Sequence, residues 1–301
     1  MKKKTALYAG LTIGMALSIS ACGEKTATSS VDREIATPMD NAAQLSAVLA
    51  GDHRTEEERA RDQFRHPVET LMYFGVEPNM TVVEVSPGGG WYSQIIAPYL
   101  KSGGGKFYAA GFPSEGASER ALAALASYRE TYVDHPEIYG DVEMTALGEG
   151  HHIAPPGSAD VVLTFRNVHN WQMNGAAQAN FNEFYSALKP GGVLGVVEHR
   201  ADGSSAPDNG TSGYVYTDDV KALADAAGFE FDSSSEVNAN AADTKDHPFG
   251  VWTLPPVRRS SAVRGQDDPE FDRAKYDAIG ESDRMTLKFR KPLAADGALL
   301  E

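Results

Sequence analysis

Cysteine is nearly absent: the 301 residues contain one, Cys22. That count excludes an intramolecular disulfide and a cysteine-built zinc site. Positive charge is also scarce, with 27 Lys and Arg against 42 Asp and Glu and a formal net charge of −15. Binding to nucleic-acid phosphates is driven by clustered cations, so no nucleic acid is expected as a partner. The apolar run 6–19 is too short, and too soon followed by polar sequence, for a comfortable membrane span. The chain has no Gly-x-Ser-x-Gly elbow, no Gly-x-x-x-x-Gly-Lys-Ser/Thr loop and no His-Glu-x-x-His. These absences argue against an α/β-hydrolase, a phosphate-binding loop and a helical zinc site. His151, His152 and His199 stand without a carboxylate partner at fixed ligand spacing, and no metal is expected.

What is present begins with Lys2, Lys3 and Lys4 ahead of the run 6–19, the order of a secretory signal. The run closes on Ile19-Ser20-Ala21 before Cys22 and Gly23, which resembles the lipobox of bacterial lipoproteins. In that family the chain is cut before the cysteine and the thiol is lipidated. The resemblance therefore implies export, a lipid on Cys22 and a membrane as partner, with the domain facing the periplasm. The expected organisation is a signal peptide at 1–21, a Ser-, Thr- and Ala-rich tether at 22–43, a helical cap at 44–79, a large domain at 80–292 and a tail at 293–301. The charge run 54–65 reads as the surface of one or two helices.

From Met80 onward the hydrophobic period alternates between two and 3.6 residues. Strands are expected at 81–85, 106–110, 142–147, 160–165 and 193–198, and helices at 91–100, 119–132, 176–188 and 218–227. Strands separated by helices of this length imply right-handed crossovers and a parallel sheet covered on both faces, a doubly wound α/β domain. The end differs. Two further strands, 230–237 and 285–289, have no clear full helix between them and should pair antiparallel, around a Pro-rich, charged excursion at 238–283.

Glu84-Val85-Ser86-Pro87-Gly88-Gly89-Gly90 joins the first strand to the helix after it. Glycine there permits positive φ and removes the Cβ that would keep a ligand away, while the helix start offers free N–H groups. Gly88-x-Gly90-x-x-Ser93 is passable as a dinucleotide fingerprint, but no acid ends the second strand to grip a ribose. The full stretch resembles the Glu-x-Gly-x-Gly-x-Gly motif of class I S-adenosyl-L-methionine (SAM)-dependent methyltransferases, with Ser86 in place of the first glycine. The strand 160–165 and the turn Lys189-Pro190-Gly191-Gly192 into the fifth strand are similar to that family's fourth and fifth strands, and the likeness runs over about 68–292. Phe165-Arg166-Asn167-Val168-His169-Asn170-Trp171, Glu198-His199-Arg200 and the stretch 279–290 resemble a group of bacterial methyltransferases that are often exported.

The resemblance implies a Rossmann-like seven-stranded sheet with an antiparallel last strand, SAM as cofactor and an unknown methyl acceptor as partner. It assigns Glu84, Ser86, Gly88, Gly89 and Gly90 to the methionine end of SAM and Glu149 to its adenine. The ribose contact is missing at the second strand's end: either Glu115 reaches back, or the cofactor is held differently or not at all. Arg166, Asn167 and His169 follow the fourth strand at the edge where ligands sit, and His169 is the candidate general base because an ordinary imidazole titrates near neutrality. Trp171, Glu198, His199 and Arg200 are candidate acceptor contacts, with the alternative that Glu198 and Arg200 pair. Two other functions fit less of the pattern: a non-catalytic binding protein on the same scaffold, and an oxidoreductase using NAD or NADP.

Overall fold

The computed structural model describes residues 38–203, 208 and 210–293. Cys22, the signal segment and most of the expected tether and tail lie outside the described residues. Among those described, no helix is long and apolar enough to cross a membrane.

Among the described residues four helices come first, α1 (Pro38–Leu49), α2 (Glu56–Arg59), α3 (Asp62–Arg65) and α4 (Pro67–Phe74). There follow β1 (Thr81–Val85), α5 (Ser93–Gly103), β2 (Lys106–Gly111), α6 (Glu119–Tyr128), α7 (Pro136–Tyr139), β3 (Val142–Ala146) and β4 (Ala159–Phe165). The chain continues with α8 (Val168–Met173), α9 (Ala177–Ala187), β5 (Leu188–His199), α10 (Thr217–Ala226), β6 (Glu230–Ser235), α11 (Ala274–Ile279) and β7 (Arg284–Arg290). Local chemistry accounts for several boundaries. Thr55 and Glu58 form a reciprocal capping box that starts α2. Pro67 occupies the first turn of α4, where its missing N–H costs nothing, and Gly75 ends that helix at φ 76°.

The seven strands form one sheet in the order β3-β2-β1-β4-β5-β7-β6. β1 to β5 pair in parallel, whereas β7 runs antiparallel to both β5 and β6. The expected antiparallel closure is therefore observed. Side chains alternate across the sheet, so Val83 and Val162 join one apolar layer with Phe181 and Phe184 of α9, while Val82 and Val161 join another with Leu45, Leu71, Phe74 and Ile95. Two buried faces explain why these strands read as nearly continuous apolar runs. The chain reverses its winding between β1 and β4, and the crevice beyond their carboxyl ends is where such sheets bind ligands.

Three expectations need correction. The first helix begins at Pro38, inside the segment expected to be tether. The charge run is not simply surface: Arg54 and Arg65 are buried, Arg54 in a two-pronged pair with Asp62 at 2.7 and 2.9 Å. Charge alone marks a solvated face only when no buried partner is available, and tertiary contacts supply one. The excursion after β6 carries a 3₁₀ turn (Gly250–Thr253) and α11, which helical spacing in so polar a stretch did not reveal.

Gly195 shows how tightly α4 lies on the sheet. A Cβ at this position would fall 2.7 Å from Leu163 and 2.8 Å from the Phe74 ring. Gly195→Ala is expected to destabilise the fold by about 1–3 kcal/mol through overpacking. A urea melt checks this, and an unchanged midpoint would show that the helix rides free of the strand.

Candidate active site

β1 ends at Val85 and the chain turns through three left-handed residues, Ser86 (φ 51°), Gly88 (φ 60°) and Gly90 (φ 79°), before α5. For Ser86 that backbone costs roughly 1–2 kcal/mol, which is the reason glycine is favoured where the resemblance places one. The glycines then divide their work. A Cβ on Gly90 would lie 2.3 Å from the Tyr132 ring, and the Tyr132 hydroxyl donates to the Gly89 and Gly90 carbonyls, each at 3.0 Å. A Cβ on Gly88 would meet nothing within 4 Å. Gly90 thus serves packing, and Gly88 borders open space.

That space is a cleft of about 240 Å³ between the loop, Asn167 and the ends of β2 and β3, with Phe112, Leu125 and Met144 as apolar walls. Among the described residues no carboxylate lines it. β2 ends in Gly111 and Phe112 as expected, and Glu115 turns to the adjoining cavity, 3.7 Å from His151. Glu149 is exposed and lines none of these cavities. Glu84 lies beneath the loop, 2 % exposed, accepting a hydrogen bond from Ser93 Oγ at 2.6 Å. Ser93 Oγ in turn accepts from the Tyr128 hydroxyl at 2.7 Å. Burial pushes the Glu84 carboxyl up to about 8, against the smaller opposing pull of Ser93 and Arg166.

β4 delivers the second half of the edge. Arg166 holds φ 64°, and Asn167 Nδ2 donates toward the Val85 carbonyl and Thr164 Oγ1, both at 3.2 Å, fastening the ends of β1 and β4 together. The next residues start α8, and Glu198 at the end of β5 receives them. Its Oε2 accepts from Val168 N at 2.6 Å and His169 N at 3.4 Å, while Oε1 accepts from His199 N at 2.8 Å. His169 Nδ1 lies 3.1 Å from the same Oε1. A carboxylate only accepts, so this contact places a proton on Nδ1. His169 and Glu198 are both buried, at 4 % and 0 % exposure.

A cavity of about 340 Å³ opens beside His169, walled by Arg61, Arg65, Arg166, His199, Trp252, Glu281 and Arg284. His199 Nδ1 meets Ser282 Oγ at 2.5 Å. Burial, then the charges of His169, Arg284 and Arg166, hold His199 well below the usual histidine range, so it is neutral at pH 7. A third cavity of about 300 Å³ joins the two, sharing Ser86, Gly88 and Asn167 with the glycine cleft and Arg166 with the His169 cavity. The three cavities thus adjoin one another along the sheet edge, as a segmented trough. His169, Glu198 and His199 can also bring three metal-binding atoms within 4.8 Å of one another. Both Glu198 oxygens, however, are already occupied by N–H donors, and a metal ion would have to displace them.

No protein-family model matches the chain, and no curated protein matches it in sequence. Solved structures do match. The [4+2]-cyclase SpnF aligns at TM-score 0.51 and 15 % identity, covering 85 % of this chain and 94 % of that one. Geranyl diphosphate C-methyltransferase from Streptomyces coelicolor A3(2), solved with Mg2+, geranyl diphosphate and S-adenosyl-L-homocysteine, aligns at 0.51 and 12 %, covering 81 % and 87 %. This is the class I methyltransferase fold. One of these neighbours is a methyltransferase and the other a cyclase, so the fold supplies a scaffold and leaves the reaction to the site.

On this fold some expected residues converge and others leave. Ser86, Gly88, Gly89, Arg166, Asn167, His169 and His199 line the trough, and Glu198 stands directly behind His169. Trp171 instead packs on Phe184 in the core, ring centres 5.5 Å apart. Arg200 does not pair with Glu198: it forms ion pairs with Asp283 and Glu236, both at 2.8 Å. Arg61 and Arg65 belong to the run 54–65 that reads as surface, and nothing in local spacing brings them or Trp252 to this edge. Arg284 and Glu281 belong to the stretch 279–290 that carries part of the family resemblance.

The raised Glu84 value has a consequence for stability. A carboxyl whose pKa rises from about 4.3 in the unfolded chain to about 8 stabilises the fold below the first value and loses that contribution as pH climbs through the second. Thermal melts from pH 5 to 9 are expected to fall, and Glu84→Gln, which keeps a neutral partner for Ser93, is expected to flatten the fall. Parallel profiles for the two proteins would refute a neutral Glu84.

Proposed function

We propose that the protein is a SAM-dependent methyltransferase acting on an unknown acceptor. One observation carries the reading: Gly88 faces open space in a cleft whose neighbouring cavities lead, by way of Arg166, to a histidine held by a carboxylate. The cradle fits the methionine end of SAM, since Gly88 puts no Cβ into the open space beside the loop, and the apolar walls from Phe112, Leu125 and Met144 fit an adenine. Bound there, SAM supplies an electrophilic methyl group. The chain's own part is to exclude water along the trough, orient the acceptor and take its proton on His169 Nε2, with Glu198 steadying the imidazolium that results.

A specific observation favours a second reading, a non-catalytic binding protein on this scaffold: among the described residues no carboxylate lines the glycine cleft where a ribose diol is ordinarily gripped. Calorimetric titration with SAM and S-adenosylhomocysteine separates the two. Micromolar binding is expected, and silence with both ligands would leave the second reading standing. We also infer export and lipid anchoring at Cys22, supported by Lys2 to Lys4, the apolar run 6–19 and the small residues before the cysteine. Metabolic labelling with a radioactive fatty acid, compared with Cys22→Ser, tests the anchor.

The glycines yield a graded prediction. Gly88→Ala and Gly88→Val each place a side chain at positive φ, costing roughly 1–2 kcal/mol of stability, but only valine fills the cleft enough to abolish SAM binding. Gly90→Ala adds a collision with Tyr132 and is expected to melt well below Gly88→Ala. His169→Ala is expected to bind SAM as the parent does and to slow turnover about 100- to 10,000-fold. Normal SAM affinity in Gly88→Val would remove the loop from the site.

A further inference from the structure

The His169 cavity carries more positive charge than the fold uses. Among the described residues four guanidiniums line it, from Arg61, Arg65, Arg166 and Arg284, and Glu281 is the one carboxylate in its wall. Glu281 is already shared: it accepts from Arg61 Nε at 2.8 Å, from Arg65 Nε at 3.0 Å and from Arg284 Nη2. Burial alone would raise the Glu281 carboxyl, but the charges of Arg284, Arg61 and Arg166 overcome it and hold the group ionised. Even counting Glu198 behind His169, cations outnumber carboxylates here, in a chain whose acids exceed its bases by 42 to 27.

A structural role explains part of this cluster. Arg65 stacks over Trp91 at 4.5 Å, and the three arginines on Glu281 tie α3 to the start of β7. Arg166 is outside that account. Among the described residues no carboxylate lies within ion-pairing distance of it, and its Nη1 is buried without a hydrogen-bond partner. Its backbone is held at φ 64°, so the chain accepts strain to place a cation where Arg284 repels it. Burial and that repulsion lower Arg166 to about 10, which leaves it charged at pH 7. An unpaired guanidinium is costly to bury, and its planar fork matches carboxylate and phosphate oxygens. Beyond Trp252 and Val257 the neighbouring cavity adds Arg120, Arg259 and Arg264 against Asp267, extending the positive lining outward. Such a lining draws anions toward the inner cavity.

We propose that this cavity binds an oxyanion, carboxylate or phosphate, with Arg166 and Arg61 as its principal contacts. Resting on the methyltransferase reading, the same geometry makes that oxyanion part of the acceptor, whose reacting atom then lies beside His169 Nε2. The anion need not react: it anchors the acceptor at the far end of the trough from the glycine loop.

The test is calorimetry on the full chain at low salt, with pyrophosphate and with succinate as separate probes, and with SAM titrated independently. At least one anion is expected to bind saturably, with affinity reduced tenfold or more in Arg166→Gln and in Arg61→Gln and unchanged in Arg290→Gln, whose arginine pairs with Asp232 on the far strand pair. Pyrophosphate alone points to a phosphorylated acceptor and succinate alone to a carboxylate. Arg61 is partly exposed, and its variant reports even where Arg166→Gln fails to fold. No saturable binding of either probe by the parent protein overturns the proposal, as does parent-like binding in both cavity variants. Anion binding without SAM binding keeps the cavity and removes the methyltransferase reading; SAM binding without anion binding does the reverse.

Discussion

The buried carboxylate of Glu198 is the interaction around which the carboxyl edge of the sheet is assembled. It closes β5, and its two oxygens gather the first N–H groups of α8, the N–H of His199 and Nδ1 of His169. A polar group at 0 % exposure is tolerable only when its oxygens are hydrogen-bonded, and here two neighbouring elements bond them at once. α8 has six residues, too few for a helix to persist by its own propensity, so its start depends on this anchor. The imidazole is then oriented as a by-product of fold closure. What looks like a catalytic pair is also the joint between strand and helix.

A second anchor closes the other wall. Glu281 collects arginines that lie 216 and 220 residues away in the chain, drawing the N-terminal helices over the sheet edge. Without them the trough would have one side. The arrangement overcharges that wall, because a single carboxylate serves three guanidiniums and Arg166 stands apart from the group. Stability gains little from such a surplus, and a binding site gains a great deal.

The glycine loop combines strain with support. Ser86 and Gly88 take left-handed backbones so that the turn lies flat against the cleft, and Tyr132 holds the far side of the loop by two hydrogen bonds. Glu84, directly below, has its charge suppressed by burial and is tied inward to Ser93 and Tyr128. It shapes the loop from beneath, and contact with a ligand falls to the backbone around Gly88.

Much of this was legible in the residues alone. Alternating periods marked the strands and the helices of the sheet, and the lack of a crossover helix after β6 marked the antiparallel ending, because both follow from the local geometry of a buried strand or an amphipathic helix. Gly88, Asn167 and His169 were visible as well, since polar or bare residues straight after an apolar strand fall on the ligand edge by topology. Tertiary structure alone decided the rest. It sent Arg200 to Asp283 and Trp171 into the core, buried Arg54 and Arg65 out of a run that reads as surface, and set Gly90 under Tyr132. It also brought Arg61 and Arg284 into one wall. Sequence determines where each side chain can point along its own element. Which charges meet depends on how distant elements pack, and no local pattern encodes that.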